Sequence, residues 1–456
     1  MKPLLKNNPK TVLFCAGCLS ALAMAPVYAW PIMAFGYSLL LYYLVKLARG
    51  PVQTAIYAFL FFFGYYLVGL YWTSSSLFVE IEHWWWALPL SFAGLPLLLC
   101  IAPTALFALT GLITRYRVIP IMAVLIVMDM IRSVLFTGFP WNMPIHGFLH
   151  NDTGMALLPI IGFYPLNALI VIFSCIPAFI TLYLKQYKMV SVVVFATFAL
   201  LTELIPLGHS PSISSIPSNV IMVQANIPQK EKWVPQYIER NLDRYINMSR
   251  EAVTTSDPYI IIWPETAISQ SLLTYPELQQ KFYSFLNNLP DNSYLITGYL
   301  YQTQEGYFNA LAVLDKNGEI NDIYNKHHLV PFGEYMPLGL DTITGVSNFR
   351  NGPIPKNIEL TGRNFQFLPL ICYEIIFSSY ANNANPDAVI LNITNDAWFG
   401  KTAGPYQHFD HAILRAIENK KVIFRLSGNG LSGIILPDGK VANLTGLNHT
   451  DVIKTR

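Results

Sequence analysis

The sequence has 456 residues, of which 53% are hydrophobic and 12% charged, and its formal net charge is +2. Soluble domains carry roughly 25% charged residues, so a wholly water-soluble chain is excluded. The balanced charge, with no basic cluster or RNA-binding signature, gives nucleic acid no footing. Most Asp and Glu follow Ser210, which divides the chain into an apolar half (1–209), a Ser- and Pro-rich linker (210–218) and a polar half (219–456).

A membrane-spanning helix needs about 20 mostly apolar residues. Seven stretches meet that length, roughly: 12–29, 30–47, 52–71, 84–113, 118–136, 155–184 and 189–207. The first two meet at Pro26 to Pro31 and form a tight hairpin. No A-x-A-like cleavage site follows the first stretch, so it reads as a retained anchor. Lys and Arg gather in alternate connections: Lys2, Lys6 and Lys10; Lys46 and Arg49; Arg115 and Arg117; Lys185 and Lys188. Arg132 is the exception, and the third–fourth connection carries Glu80 and Glu82. Positive charge marks the cytoplasmic side. The N-terminus is therefore cytoplasmic, and after seven spans the polar half lies outside, in the periplasm of a bacterium with two membranes. The spans offer little charge beyond Asp129 and Glu203, too little for a transporter or a sensor worked through its helices.

Cys15, Cys18, Cys100 and Cys175 sit in apolar stretches, and Cys372 is the one cysteine of the polar half, so that half has no disulfide framework. The Cys15-x-x-Cys18 pair, with no His or charge nearby, reads as packing rather than a metal or redox site. Two external connections are aromatic: Trp84-Trp85-Trp86 and Gly138-Phe139-Pro140-Trp141-Asn142. They suit an aromatic belt at the bilayer interface or, more sharply, a rim for a lipid substrate.

In the polar half, strands are predicted at 220–224, 259–263, 294–298, 310–314, 368–372, 388–392, 422–426 and 433–436, and helices at 236–254, 275–288 and 406–418. Several strands are unbroken apolar runs, which requires sheets covered on both faces. In such α/β folds, polar residues at strand ends carry the chemistry. Three runs end in candidates: Trp263-Pro264-Glu265, Asn325-Lys326-His327-His328 and Ile371-Cys372-Tyr373-Glu374. A carboxylate to take the thiol proton, a thiolate to attack a carbonyl and an ammonium to steady the oxyanion make an acyl-transfer set. A lone Cys after an apolar strand is more often core, but a free thiol in an oxidising compartment is a liability, which favours a nucleophile.

These three segments resemble the signature motifs of the nitrilase superfamily, the second continuing through Leu329-Val330-Pro331-Phe332-Gly333-Glu334. Asn226-Ile227-Pro228-Gln229-Lys230, Trp233, Asn395-Asp396-Ala397-Trp398-Phe399-Gly400 and the Trp141 segment are similar to the bacterial apolipoprotein N-acyltransferases, as is the order of a multi-helix half before a nitrilase half. The resemblance runs from about residue 10 to about residue 440. It implies a transmembrane domain joined to an αββα sandwich. It also implies transfer of a fatty acyl chain from a phospholipid donor, through a cysteine thioester, to the N-terminal amine of a diacylated apolipoprotein. Glu265 would be the base, Lys326 the oxyanion stabiliser and Cys372 the nucleophile. Glu334, Tyr373 and Glu374 would support them, and Trp233 and Trp141 would serve substrate binding. No cofactor or metal is implied.

Two departures stand out. The resemblance would place a further membrane helix after the catalytic half, where the sequence runs in polar residues to Arg456. Ser427-Gly428-Asn429-Gly430 stands where an Asn-Asn-Gly-like turn is expected. His408-x-x-His411 could share a helical face and bind metal but lacks a third ligand. His327 and His328 read as shaping the Lys326 loop. Apolar residues at 336–340 and 376–377, with Trp233, are candidate membrane contacts. The other enzymatic reading is a membrane-tethered amidase or esterase with the same triad and water as acceptor.

Overall fold

The computed structural model describes residues 8–183, 217–270, 272–336 and 349–455. The span predicted at 189–207 lies outside them. The chain forms two compact units, Met1–His209 with Thr402–Asp410, and Ser210–Lys401 with His411–Arg456.

In the first unit the main helices are α1 (Pro9–Ser20), α2 (Trp30–Lys46), α3 (Gly50–Gly69), α4 (Leu88–Thr110), α5 (Val118–Arg132) and α6 (Phe163–Tyr183). The first four begin with proline in their first turn, where the missing N–H leaves no helical bond unmade. Among the described residues, α3, the run Ile81–Thr110 that ends in α4, and α6 are long and apolar enough to cross a membrane. The 17 residues of α2 and 15 of α5 fill the stretches predicted at 30–47 and 118–136 but fall short of that length.

Helices α1 and α3 touch backbone to backbone. A Cβ at Gly17 would lie 1.9 Å from the Phe61 carbonyl oxygen, and one at Gly64 would lie 2.5 Å from that of Phe14 and 3.1 Å from Cys18 Sγ. Small residues are what permit such close helix packing in lipid. Cys18 therefore sits in a packing contact, as its apolar surroundings predicted.

Arg132 is not a loop charge. It is buried at the end of α5, pairs with Asp129 one turn earlier at 2.8 Å and donates to the Phe139 carbonyl at 3.0 Å and to that of Trp141. Asn167 Nδ2 donates to the other Asp129 oxygen at 2.9 Å. Its exception to the charge rule is thus local neutralisation. The two aromatic connections also differ: Trp85 and Trp86 are exposed, whereas Trp141 is 1% exposed. Within this unit the Nε1 groups of Trp72 and Trp141 donate to Gln407 Oε1 at 3.0 and 2.8 Å, and Tyr28 donates to Asp410 Oδ1 at 2.9 Å.

The second unit holds two sheets. With strands numbered in chain order, β3 being Ile268–Ser269, β7 Ile358–Glu359, β11 Ser432–Ile435, β12 Val441–Thr445 and β13 Asp451–Lys454, the first has the order β13-β1-β2-β4-β5-β6, with β3 added to β4, and the second the order β12-β11-β10-β9-β8-β7. The strands that matter below are β1 (Val220–Gln224), β2 (Ile260–Ile262), β4 (Tyr294–Thr303), β5 (Gly306–Leu314), β6 (Ile320–Asn325), β8 (Gln366–Ile371), β9 (Val389–Thr394) and β10 (Ile423–Ser427). Val220 and Met222 of β1 join Leu391 of β9 and Phe424 of β10 in the core between the sheets. The alternate residues Ile221 and Val223 face a second core with Leu242 and Ile246 of α7 (Pro235–Ala252) and Phe282 and Phe285 of α8 (Pro276–Asn287). Burial on both faces is why β1 reads as an unbroken apolar run.

Strands β1, β2 and β4 are parallel, and β6 runs the same way because β5 is antiparallel to both β4 and β6. Glu265 follows the carboxyl end of β2 and Lys326 that of β6, while Cys372 follows β8 of the facing sheet.

Candidate active site

Cys372 opens a short turn immediately after β8 with φ 52°, in the left-handed region that non-glycine residues rarely occupy. Such strain at a strand end marks a side chain held for a purpose. The thiol is buried. Burial, then the Glu265 charge, push it well above its ordinary range, while Lys326 pulls the other way. A thiol so placed becomes a thiolate only when a neighbouring base takes its proton.

Lys326 is 1% exposed. Its Nζ lies 2.9 and 2.8 Å from the two Glu334 oxygens and 3.7 Å from Glu265 Oε1. Burial opposes its charge, but Glu334 and then Glu265 outweigh burial and hold the ammonium above its usual range. Glu334 is itself fixed, since Val330 N–H donates to its Oε2 at 2.8 Å. Glu265 is 4% exposed, and its Oε2 is buried without a protein partner among the described residues.

Glu374 ties the lysine loop to the nucleophile turn. Its Oε1 accepts from Tyr324 at 2.7 Å and from the backbone N–H groups of His327 and His328 at 2.8 and 3.0 Å; its Oε2 accepts from Ile371 N–H at 2.7 Å. Burial raises the Glu374 carboxyl, and these donors counter that. Tyr373 is buried beside Phe377 and His328, with ring centroids 5.3 and 5.6 Å away. His328 Nδ1 meets the Tyr380 hydroxyl at 3.0 Å; burial, then Lys326 and His327, lower its imidazole to about 4.

Ile376 and Phe377 are 1% and 7% exposed, so burial removes them as membrane contacts. Residues 337–340 of the other candidate stretch lie outside the described residues. Trp233 is 37% exposed and lies beside Lys232, whose Nζ is 5.7 Å from its ring centroid. Trp141 belongs to the first unit, where its ring is enclosed and offers no open face.

Sequence reasoning missed four contributors. Asn309 of β5 donates from Nδ2 to Glu265 Oε1 at 2.7 Å and to Glu334 Oε1 at 2.9 Å. Tyr324 directly precedes the Asn325-Lys326 motif, yet nothing local shows that it reaches Glu374. Lys232 donates to the Glu265 carbonyl at 3.1 Å and to Thr266 Oγ1, and burial, partly offset by Glu265, lowers it to about 8. Gly298 of β4 leaves room for the Glu265 turn, because a Cβ there would lie 2.5 Å from Glu265 Cα. The available signal was Asn309 itself, a polar residue set against an apolar strand run.

A two-sheet sandwich that brings a carboxylate, an ammonium and a strained thiol to its strand ends is the carbon–nitrogen hydrolase class, and that family's pattern matches residues 220–456. Residues 16–176 match the apolipoprotein N-acyltransferase N-terminal domain. The apolipoprotein N-acyltransferase of Rickettsia prowazekii is 33% identical over 98% of this chain and 91% of its own length. That of Rhizobium leguminosarum bv. trifolii is 32% identical over 96% and 88%. The chain belongs to the apolipoprotein N-acyltransferase family, and it is a membrane-associated acyltransferase. Solved structures similar to part of this chain include an amidase from Nesterenkonia sp., 17% identical over 53% of this chain and 92% of that one, with a TM-score of 0.37. Saccharomyces cerevisiae Nit3 is 18% identical over 51% and 87%, with a TM-score of 0.38.

Proposed function

We propose that the chain moves a fatty acyl group from a phospholipid to the N-terminal amine of a diacylated lipoprotein by way of a Cys372 thioester. Glu265 takes the thiol proton and the thiolate attacks the ester carbonyl, while Lys326 stabilises the oxyanion. The carbonyl–oxygen bond breaks, Glu265 returns the proton to the departing lysophospholipid oxygen, and the thioester remains. The lipoprotein amine then attacks the thioester and gives up a proton through Glu265, forming the amide and freeing Cys372. We place the reaction on the outer face of the cytoplasmic membrane, on the strength of the loop charges. Trp233, exposed and next to Lys232, is our candidate substrate contact.

The observation that carries this reading is the buried cluster in which Lys326 lies between Glu265 and Glu334 and both Lys326 and Glu265 act on the Cys372 thiol. The test has two stages. With phospholipid alone, full-length protein should gain one acyl mass on Cys372, labile to neutral hydroxylamine and absent in Cys372→Ala. With a diacylated lipopeptide added, triacylated peptide should form faster than free fatty acid. An unmodified wild-type Cys372 removes the thioester. Fatty-acid release indifferent to the peptide makes the enzyme a hydrolase with water as acceptor.

A further inference from the structure

Glu265 and Glu334 converge on one ammonium, that of Lys326, in a buried cluster. Two carboxylates facing one cation leave oxygens that need donors, because carboxylates only accept. Asn309 supplies them. Its amide nitrogen carries two hydrogens, and they divide between Glu265 Oε1 at 2.7 Å and Glu334 Oε1 at 2.9 Å. The residue is 3% exposed, and its own carbonyl accepts the Lys326 backbone N–H at 2.8 Å. One residue on a strand inside the sheet thus bonds both carboxylates through its side chain and the Lys326 main chain through its own, without adding a charge.

The consequence for Glu265 is asymmetric. Asn309, and more distantly Lys326, occupy Oε1, while Oε2 has no partner among the described residues. Asn309 Oδ1 is likewise buried without one, as expected if the amide is oriented by its nitrogen alone.

We propose that Asn309 is a positioning residue for acyl transfer: it holds Glu265 by Oε1 so that Oε2 receives the Cys372 proton, and it fixes Glu334 where Glu334 tethers Lys326. The inference rests on the roles proposed above for Glu265, Lys326 and Cys372. Asn309→Asp would bring a third carboxylate into the cluster, and Asn309→Leu would leave Glu265 Oε1 without its hydrogen-bond donor and Glu334 Oε1 with Lys326 alone. Either change acts on the thiol through Glu265.

The test is a double-mutant cycle on the full-length protein, read as the rate at which iodoacetamide alkylates Cys372, with site occupancy followed by peptide mass spectrometry. Alkylation reports thiolate formation and needs no lipid binding. Asn309→Leu should alkylate roughly tenfold or more slowly than wild type. Added to Glu265→Gln, it should slow the reaction by less than about twofold further, because residues that act through one another are not additive. Asn309→Asp should be slower than wild type as well.

The melting temperature of each variant separates this from loss of fold, and if Asn309→Leu does not fold, Asn309→Ser completes the same cycle. Folded Asn309 variants that alkylate like wild type, or losses that simply multiply in the double variant, overturn the inference and leave the base role of Glu265 standing. A Glu265→Gln protein that alkylates at the wild-type rate overturns that base role, and this inference with it.

Discussion

Glu334 holds the Lys326 ammonium with both carboxylate oxygens, at 2.9 and 2.8 Å, while Lys326 is 1% exposed. An ion pair removed from water in this way stands only while both partners remain, since removing one strands the other. Lys326→Met should slow Cys372 acylation by ~10²-fold or more, the scale at which one stabilising donor acts on an oxyanion. Glu334→Gln should slow it too and should lower stability by about 3–5 kcal/mol. Rates of adduct formation and thermal unfolding in detergent measure the two effects. A Glu334→Gln protein of wild-type stability and rate would show that the pair does nothing.

Gly298 makes a sharper steric statement. A Cβ there would lie 2.3 Å from Thr266 N and 2.5 Å from Glu265 Cα, both backbone atoms that no rotamer can move aside. Gly298→Ala should therefore displace the Glu265 turn. The expected outcome is a protein about 1–3 kcal/mol less stable, as for an overpacked core, whose Cys372 acylation falls with Glu265 unchanged in sequence. Acylation at the wild-type rate would show that the turn relaxes around the methyl group.

The first unit offers an independent case in Arg132 and Asp129. The pair is buried, and Arg132 also serves the carbonyls of Phe139 and Trp141, so it fixes the loop after α5 as well as neutralising Asp129. Asp129→Leu or Arg132→Met alone should cost about 3–5 kcal/mol, and the double Asp129→Leu, Arg132→Met should cost less than the two singles together. Thermal unfolding in detergent provides the comparison. Additive losses would mean the two side chains do not act as a pair.

What was legible in the sequence follows from which forces act locally. Strands β1, β8, β9 and β10 are buried on both faces, so hydrophobicity alone marks them. Strand β6 escaped because four of its six residues are exposed, and an edge strand of that kind has no apolar run to show. Glu265 and Cys372 were visible as polar residues ending apolar strands and Lys326 by its motif, but the partners of all three were not. Glu374 depends on Tyr324, fifty positions away in the chain and 2.7 Å away in space. Asn309 depends on two glutamates from different loops. Arg132 was misread as a loop charge although its partner stands three residues earlier, a spacing that brings side chains together on a helix. Ile376 and Phe377 looked like surface apolar residues because nothing in the sequence shows His328 stacked on Phe377 at 4.1 Å.

Packed against Phe377, His328 is a measurable contributor to acid stability. Burial, then Lys326 and His327, lower its imidazole from 6.5 to about 4, so the folded protein keeps it neutral where an unfolded chain would take up a proton. Between about pH 4 and 6.5 the unfolded state therefore binds more protons, and stability rises with pH across that window. Put the other way, its contribution is complete above about 6.5 and is lost as pH falls through 4. The shift corresponds to about 3 kcal/mol at most, at 1.36 kcal/mol for each unit. His328→Phe keeps a ring against Phe377 and has no proton to gain, at the expense of the contact with Tyr380. Melting temperatures of the two proteins, measured from pH 4 to 7.5, should differ in slope: wild type should fall more steeply on acidification, and the gap between the curves should narrow or reverse toward pH 4. Parallel curves would mean that the imidazole takes its proton in the folded protein as readily as in the unfolded chain.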